Sequence, residues 1–305
     1  MENTNKIKSL LKIDCPKITR VITDYLRNKS KMEKKTRVIL GLSGGIDSAV
    51  SAHLCKLAGL DLYVCLLPYK PQSWWKDEPN QGKNTELIIK ALKIPQNRII
   101  SMDISSFVDP LFKNLEAVFN KNKIRFNEPF ILTTLQSRER LNLLNFLAEY
   151  LDGLVVGTGN ISEALLHYRT NFGHLSGDVQ PVGNLFKTQI FDMAKYLKIP
   201  EKYLQETVPS AELHKGRSGK IFPIKYREAD PIMYLYLCKY PEKEVVKEFG
   251  FNGKIVRLIF KRVRHKLWLR EGEWGYCKFE FFKVSDAFDA REKNLLISNL
   301  YKKER

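Results

Sequence analysis

The chain alternates short apolar runs with longer segments of helical periodicity. Strands are predicted where β-branched and other apolar residues follow one another, and helices where apolar residues recur every three or four positions. The predicted strands are 37–42, 61–68, 98–103 and 153–157, and the main predicted helices around them are 4–30, 47–58, 84–93, 105–121 and 134–150. Strands that alternate with helices form a parallel sheet with helices on both faces, and such a sheet binds ligands at the carboxyl ends of its strands.

The strand pattern ends after about residue 184. Four further helical segments are predicted, at 185–200, 230–240, 242–250 and 254–268. The sequence therefore predicts a doubly wound α/β domain with an N-terminal helix over residues 1–200. A helical C-terminal region, 201–305, is expected to pack on that same domain as an annex.

The segment 36–50, TRVILGLSGGIDSAV, carries the clearest chemical signal. A β-branched run ends in a glycine turn, and a helical pattern follows at once. Two glycines let the backbone approach an anion, which the N–H groups and dipole of a helix N-terminus then face. A carboxylate beside a phosphate is expected only with a metal ion. The residues that predict this site for a nucleotide polyphosphate and magnesium are Ser43, Gly44, Gly45, Asp47 and Ser48. The alternative is an ordinary glycine-rich turn.

The spacing of this loop excludes two other phosphate-binding motifs. No Lys follows the glycines, as it does in a Walker A loop, and the dinucleotide pattern G-x-G-x-x-G is absent. The string SGGxDS resembles the PP-loop of the ATP pyrophosphatases, which cleave ATP between its α- and β-phosphates. The resemblance implies the adenine nucleotide α-hydrolase-like version of the α/β fold.

Further strings extend the resemblance along the chain. They are GTGNISEALLHYRTNFGHLSGDVQPVGNLFKTQ at 157–189, SRER at 137–140, PSA at 209–211 and HK at 265–266. Together with the PP-loop they resemble the ammonia-dependent NAD synthetase family over residues 37–266. That resemblance implies an enzyme that uses ATP to adenylylate the carboxylate of deamido-NAD. Ammonia then displaces AMP to form the amide of NAD.

The resemblance also implies a role for each matching residue. ATP would be bound by the PP-loop residues together with Thr158, Lys187 and Ser210, and Asp47 and Lys187 would be the catalytic pair. Asp47 and Glu163 would hold Mg²⁺, the expected cofactor. The deamido-NAD would be bound by Arg138, Asn171, Asp178, His265 and Lys266. A homodimer is implied as well.

Several of these side chains have simpler interpretations. Glu163 could be a carboxylate that interacts with a helix dipole, and Lys187 or Arg138 could be a solvated charge on a helix surface. His265 and Lys266 lie in a basic run that could be an ordinary solvated face.

The substrate half of the chain departs from the family pattern. Basic residues occupy much of 212–220, where the family has an acidic stretch, and 267–269 also differs. Asn171 and His174 stand where the family has Lys and Asp. The acceptor could therefore be deamido-NAD bound by an altered loop, or a different carboxylate or nucleotide.

The net charge leaves other functions open. The chain has 51 Lys and Arg against 34 Asp and Glu, a formal charge of +17, which suggests attraction to polyanions. Dispersed lysines on solvated helix faces would give the same total. One alternative is a PP-loop enzyme that modifies tRNA. Another is a DNA-binding helix-turn-helix formed by the basic helices after residue 242, although nucleic acid is not the favoured partner.

The remaining composition suggests a cytoplasmic protein with small-molecule substrates. Its 5 cysteines are scattered without a C-x-x-C pair, which fits a reducing compartment and argues against structural zinc. No apolar run long enough to cross a membrane occurs, and the first residues do not have the pattern of a signal peptide. Only a short segment precedes the PP-loop, so no glutaminase module is expected there, and free ammonia is the expected nitrogen donor.

Overall fold

The structure is a computed structural model that describes residues 10–70, 79–166, 173, 176–200 and 224–273, with the backbone alone at 79–83, 129 and 265–273. Its strands are β1 Arg37–Gly41, β2 Asp61–Leu66, β3 Ile99–Ser101 and β4 Gly153–Val156. Its helices are α1 Cys15–Glu33, α2 Ile46–Leu57, α3 Pro79–Ala91, α4 Ser105–Lys121, α5 Glu128–Tyr150, α6 Ile161–Leu166, α7 Lys187–Tyr196, α8 Tyr226–Leu237, α9 Glu242–Phe249 and α10 Gly253–Glu273.

The four strands form one parallel sheet in the order β3-β2-β1-β4. Ile39 of β1 pairs with Tyr63 of β2 on one side and with Val155 of β4 on the other. The chain thus proceeds from β1 outward to β3 and returns to add β4 at the opposite side of β1. This reversal opens a crevice at the carboxyl ends of β1 and β4, where sheets of this class bind ligands.

Helices cover both faces of the sheet, as the alternating pattern predicts. Successive strand residues point to opposite faces, so Val38 and Leu40 pack in the core with α1, α2 and α7, whereas Ile39 packs in the core with α4 and α5. All three side chains are fully buried. The α/β fold class predicted from the sequence is confirmed.

A further hydrophobic core joins the C-terminal helices to α6, the helix that follows β4. Leu166 of α6 shares this core with Ile232 of α8, Val245 of α9 and Val256 of α10. Contacts also run from α8 to α7. The C-terminal helices are therefore in contact with the elements that follow β4.

Several helix boundaries differ from the predicted ones because capping signals were missed. Helix α5 begins at Glu128 rather than Thr134, since the Asn127 side chain accepts a hydrogen bond from the N–H of Phe130 and Pro129 occupies the first turn. Helix α1 begins at Cys15 within the predicted 4–30, where Asp14 accepts from the N–H of Lys17. The predicted 84–93 helix begins earlier, at Pro79.

The described part of the chain contains no helix that is both long and apolar enough to span a bilayer. The four cysteines within it, Cys15, Cys55, Cys65 and Cys238, are free thiols.

Candidate active site

The loop after β1 forms a compact turn that leads directly into α2. Gly44 has a φ of +81°, a left-handed conformation that glycine adopts without steric cost. The Ser43 and Ser48 hydroxyl oxygens lie 3.2 Å apart, and the Ser48 hydroxyl donates to the carbonyl of Gly45 at 2.9 Å. Gly45 is the N-cap of α2, so the loop ends at the helix N-terminus, where N–H groups without intrahelical partners can bind an anion.

The turn after β4 meets this loop through Asn160. The Asn160 side chain is 1% exposed, and its amide donates to Oδ1 of Asp47 at 3.0 Å. Its own Oδ1 accepts from the N–H of Glu163 at 2.9 Å, and Oε2 of Glu163 accepts from the N–H of Asn160 at 3.4 Å. This reciprocal pair is a capping box. Sequence reasoning did not assign a role to Asn160, although the spacing N-x-x-E was a signal for this cap.

Lys187 brings a third element to the same place. It is the first residue of α7, and only 8% of it is exposed. Its ammonium donates to Oδ2 of Asp47 and lies 3.5 Å from Oε1 of Glu163. The ammonium also lies 5.7 Å from the centre of the Tyr226 ring, within range of a cation–π interaction. This burial rules out a solvated Lys187.

The three charged groups alter each other's proton affinity. Burial, followed by the nearby Asp47 carboxylate, raises the pKa of Glu163 to about 7, and Lys187 opposes that rise. Burial tends to lower the pKa of Lys187, but Asp47 and Glu163 outweigh it and raise that pKa above its ordinary value. The site therefore holds a lysine that stays charged between two carboxylates that repel one another.

The donor set fits a magnesium ion bound together with phosphates. Asp47 and Glu163 provide carboxylate oxygens from two different helices, and their mutual repulsion is the kind that a divalent cation relieves. Magnesium in nucleotide sites uses one or two carboxylates together with phosphate oxygens. Within the described ranges no cluster of three or more His, Cys, Asp or Glu side chains could hold a metal ion.

Thr158 and Arg138, two of the predicted binding residues, differ in their exposure to solvent. Thr158 is half-buried and lies two residues after the end of β4, in the turn that leads to Asn160. Arg138 is exposed on α5, and this helix packs against β1 and β4.

Asp178 belongs to a segment that packs tightly against β4. Its Oδ2 accepts from the N–H of Val155 at 2.8 Å. A Cβ at the preceding Gly177 would lie 2.5 Å from the backbone nitrogen of Gly157, so only glycine permits this approach. The structure therefore gives Asp178 a contact that orders the end of β4, in addition to its predicted role with substrate.

The other predicted substrate and ATP residues have side chains outside the described part of the chain. Ser210, Asn171, His174 and the basic stretch 212–220 lie outside the described residues, as do the side chains of His265 and Lys266 and the segment 267–269 apart from its helical backbone.

The fold and the loop together define a class of protein. The parallel sheet has a serine- and glycine-rich loop at its switch point, together with two carboxylates and a lysine. This arrangement defines an α/β nucleotide-binding domain of the PP-loop type. The sequence model of the NAD synthase family matches residues 18–271, which is most of the chain. The chain belongs to the NAD synthase family.

Individual relatives agree with this assignment. The chain is 31% identical over 263 residues to the NH(3)-dependent NAD(+) synthetase of Fusobacterium nucleatum, a match that covers 85% of this chain and 95% of the relative. The solved NH3-dependent NAD synthetase of Campylobacter jejuni is 25% identical with a TM-score of 0.66, covering 86% of this chain and 97% of that one. The solved NMN synthetase of Francisella tularensis has a TM-score of 0.62 at 24% identity over 84% of this chain and 96% of that one, which is a likeness of fold.

Proposed function

We propose that the chain is an ammonia-dependent NAD synthetase, which converts deamido-NAD to NAD through an acyl-adenylate and releases pyrophosphate and AMP. The observation that carries this proposal is the convergence of Asp47, Glu163 and Lys187 beside the phosphate loop. Family membership supports the same reaction, since the curated relatives bear that name.

In the first step, an oxygen of the nicotinate carboxylate attacks the α-phosphorus of ATP. The bond from that phosphorus to the oxygen bridging the α- and β-phosphates breaks, and pyrophosphate leaves. The leaving group gains negative charge, which the Lys187 ammonium and the N–H groups at the start of α2 stabilise electrostatically. No covalent bond to the protein is needed, so the contribution of the protein is orientation and charge.

In the second step, ammonia attacks the activated carbonyl carbon. The bond between that carbon and the AMP oxygen breaks, AMP leaves, and the nitrogen loses a proton to give the neutral amide. An adenylate is a far better leaving group than the oxide of a free carboxylate, which explains why ATP is consumed before the nitrogen is added.

Asp47 and Glu163 are the residues that would hold Mg²⁺ with ATP. Bound there, magnesium would supply positive charge to the phosphates. Asn160 keeps the Asp47 carboxylate oriented through its amide hydrogen bond, and the capping box fixes Glu163 at the start of α6.

The acceptor side of the proposal includes residues named from the sequence. Arg138, Asn171, Asp178, His265 and Lys266 would bind deamido-NAD, while Thr158 and Ser210 would contact ATP. The basic segment 212–220, where the family pattern named from the sequence is acidic, favours a second candidate: amidation of another nucleotide carboxylate by the same chemistry.

A homodimer in the cytoplasm is part of the proposal. Six large apolar side chains between residues 105 and 150 are 44% to 82% exposed, namely Phe107, Leu111, Val118, Ile124, Phe146 and Tyr150. Three of them lie on α4, Ile124 lies in the connection that follows, and Phe146 and Tyr150 lie on α5. Because α4 and α5 pack against each other, the relevant surface is this helix pair with its connecting turn. Clustered exposed apolar residues mark interaction surfaces, and a second copy of the chain is the partner that the family resemblance implies.

The test is an assay with purified protein, ATP, Mg²⁺, ammonium and one acceptor at a time. With deamido-NAD we expect AMP and NAD in equal amounts, and no AMP without an acceptor. Nicotinate mononucleotide serves as the second acceptor, because it carries the same carboxylate without the adenylyl half. AMP formation with that acceptor alone would move the assignment to the second candidate.

A further inference from the structure

A buried carboxylate on α8 joins the helix N-termini that carry Glu163 and Lys187. Asp230 is 0% exposed. Its Oδ1 accepts from the Ser162 hydroxyl at 2.7 Å, and its Oδ2 accepts from the N–H of Thr188 at 2.9 Å. The two donors belong to the residues that directly precede Glu163 and directly follow Lys187.

The Ser162 hydroxyl extends this connection to the backbone of Lys187. Ser162 is also 0% exposed, and its oxygen accepts from the N–H of Lys187 at 2.8 Å while its proton is donated to Asp230. The backbone of Lys187 is therefore held on both sides of its Cα, by Ser162 through its own N–H and by Asp230 through the next one.

We propose that Asp230 and Ser162 are positioning residues that set the placement of Glu163 and Lys187 relative to Asp47, and thereby the affinity of the site for ATP with Mg²⁺. The identity of that ligand rests on the proposed function. Their hydrogen bonds go to the starts of α6 and α7, which transmit their effect to the site.

Two physical arguments support this role. Asp47 stands on α2, whereas its two charged neighbours stand on α6 and α7, so their mutual distances depend on how α6 and α7 are joined. Hydrogen bonds to an ionised carboxylate are shorter and stronger than those between neutral groups, and partners that orient metal-binding side chains influence metal affinity strongly. A carboxylate that only packed α8 against its neighbours would not need to hold both residues flanking the charged pair.

The first test is Ser162→Ala, measured by calorimetric titration with a non-hydrolysable ATP analogue and Mg²⁺. We expect the dissociation constant of the analogue and the half-saturating Mg²⁺ concentration to rise by about 10-fold or more, while the KM for ammonium stays unchanged. Ser51→Ala is the matched control, because Ser51 is 0% exposed on α2 and its hydroxyl has no hydrogen-bond partner among the described residues. That variant is expected to bind like the wild type.

Asp230→Asn is the second variant, since it keeps the shape of the side chain and loses its charge. We expect a shift in the same direction, measured on protein whose melting curve shows that it is folded. If both variants bind the analogue and Mg²⁺ as tightly as the wild type, even with lowered melting temperatures, Asp230 and Ser162 serve packing alone and the proposal is wrong.

The binding titration needs no acceptor, so it separates this proposal from the proposed function. A wild type that binds the analogue but makes no NAD from deamido-NAD overturns the acceptor assignment and leaves the comparison of variants valid. A wild type that does not bind the analogue with Mg²⁺ overturns both.

Discussion

The ammonium of Lys187 donates a hydrogen bond to Oδ2 of Asp47, and this contact joins the first turn of α2 to the first residue of α7. The two residues are 140 positions apart in the sequence. Only 10% of the Lys187 side chain and 16% of the Asp47 side chain are exposed. Because the pair is largely shielded from water, each charge needs its partner more than a charge in a surface ion pair does.

Replacing Lys187 with Met is expected to destabilise the fold when Mg²⁺ is absent. Asp47 and Glu163 would remain close together without their shared cation, and removing one partner of a buried ion pair costs about 3 kcal/mol or more. Added Mg²⁺ should recover part of the loss by binding between the carboxylates. The measurement is urea denaturation in EDTA and in Mg²⁺.

Lys195→Met is the control for that experiment, because Lys195 is exposed on the same helix. It should leave the free energy of unfolding nearly unchanged. Equal unfolding free energies for Lys187→Met and the wild type in EDTA would contradict the role assigned to the buried pair.

Asp47→Asn is expected to abolish most of the activity while the fold is kept. The amide preserves the size of the side chain and an oxygen that can accept from Asn160, but it removes the charge available to a metal. We expect the rate of AMP and pyrophosphate release at saturating ATP to fall by about 100-fold or more. Asp24→Asn, on an exposed surface pair with Arg27, should keep the full rate. Normal AMP release by Asp47→Asn would show that the loop does not hold the reacting nucleotide.

Gly44→Ala tests the loop conformation itself. Forcing a Cβ into the left-handed region costs about 1 kcal/mol, and here the strain falls where the backbone must approach phosphate. We expect lowered stability together with a higher KM for ATP.

Gly59→Ala is a matched control, since Gly59 has a φ of +76° and a Cβ there would meet nothing within 4 Å. It should lower stability by a similar amount and leave the KM for ATP unchanged; a similar KM for both variants would argue against a phosphate-binding role for the loop.

Whether a feature of the site could be predicted depends on how far apart its residues lie in the sequence. The local structure of the loop after β1 could be predicted because its strand, glycine turn and helix start are contiguous, so local rules for turns and helix N-termini apply. The contact of Asn160 with Asp47 spans 113 positions and follows from the adjacency of β1 and β4, which no local pattern specifies. The link from Asp230 to Ser162 spans 68 positions and was missed for the same reason.

Asp230 also shows that a helical pattern does not predict the hydrogen-bond partners of a buried side chain. Asp230 lies in the segment EADPIMYLYL, where an acid among apolar residues is the only sign that a carboxylate enters the core. Burial of a charge is tolerated only with hydrogen-bond partners, and those partners come from α6 and α7. Periodicity identified the helix but could not name them.

Asp230 predicts a specific dependence of stability on pH. Burial raises the pKa of Asp230 from 3.8 to about 6, against the hydrogen bonds from Thr188 and Ser162 and the charge of Lys187. Because the folded state binds this proton more tightly than the unfolded state, the contribution of Asp230 to stability is present at low pH and is lost as the pH rises through about 6.

Asp230→Asn should remove that contribution. Between about pH 5 and about pH 8 the wild type is expected to lose roughly 1 kcal/mol more unfolding free energy than the variant. Urea denaturation across this range in EDTA measures the difference between the two proteins, and parallel pH profiles would contradict the raised pKa.

Phe146→Glu tests the apolar surface on α5 as a contact between two copies of the chain. Phe146 is 68% exposed, and Tyr150, one turn further along, is 82% exposed. A charge placed between two desolvated apolar surfaces costs far more than one in water, so we expect dimers of the wild type and monomers of the variant in sedimentation velocity. Met32→Glu is the control, because Met32 is 69% exposed on α1 and should leave the dimer intact. If Phe146→Glu sediments like the wild type while both are dimers, the two copies meet through another face.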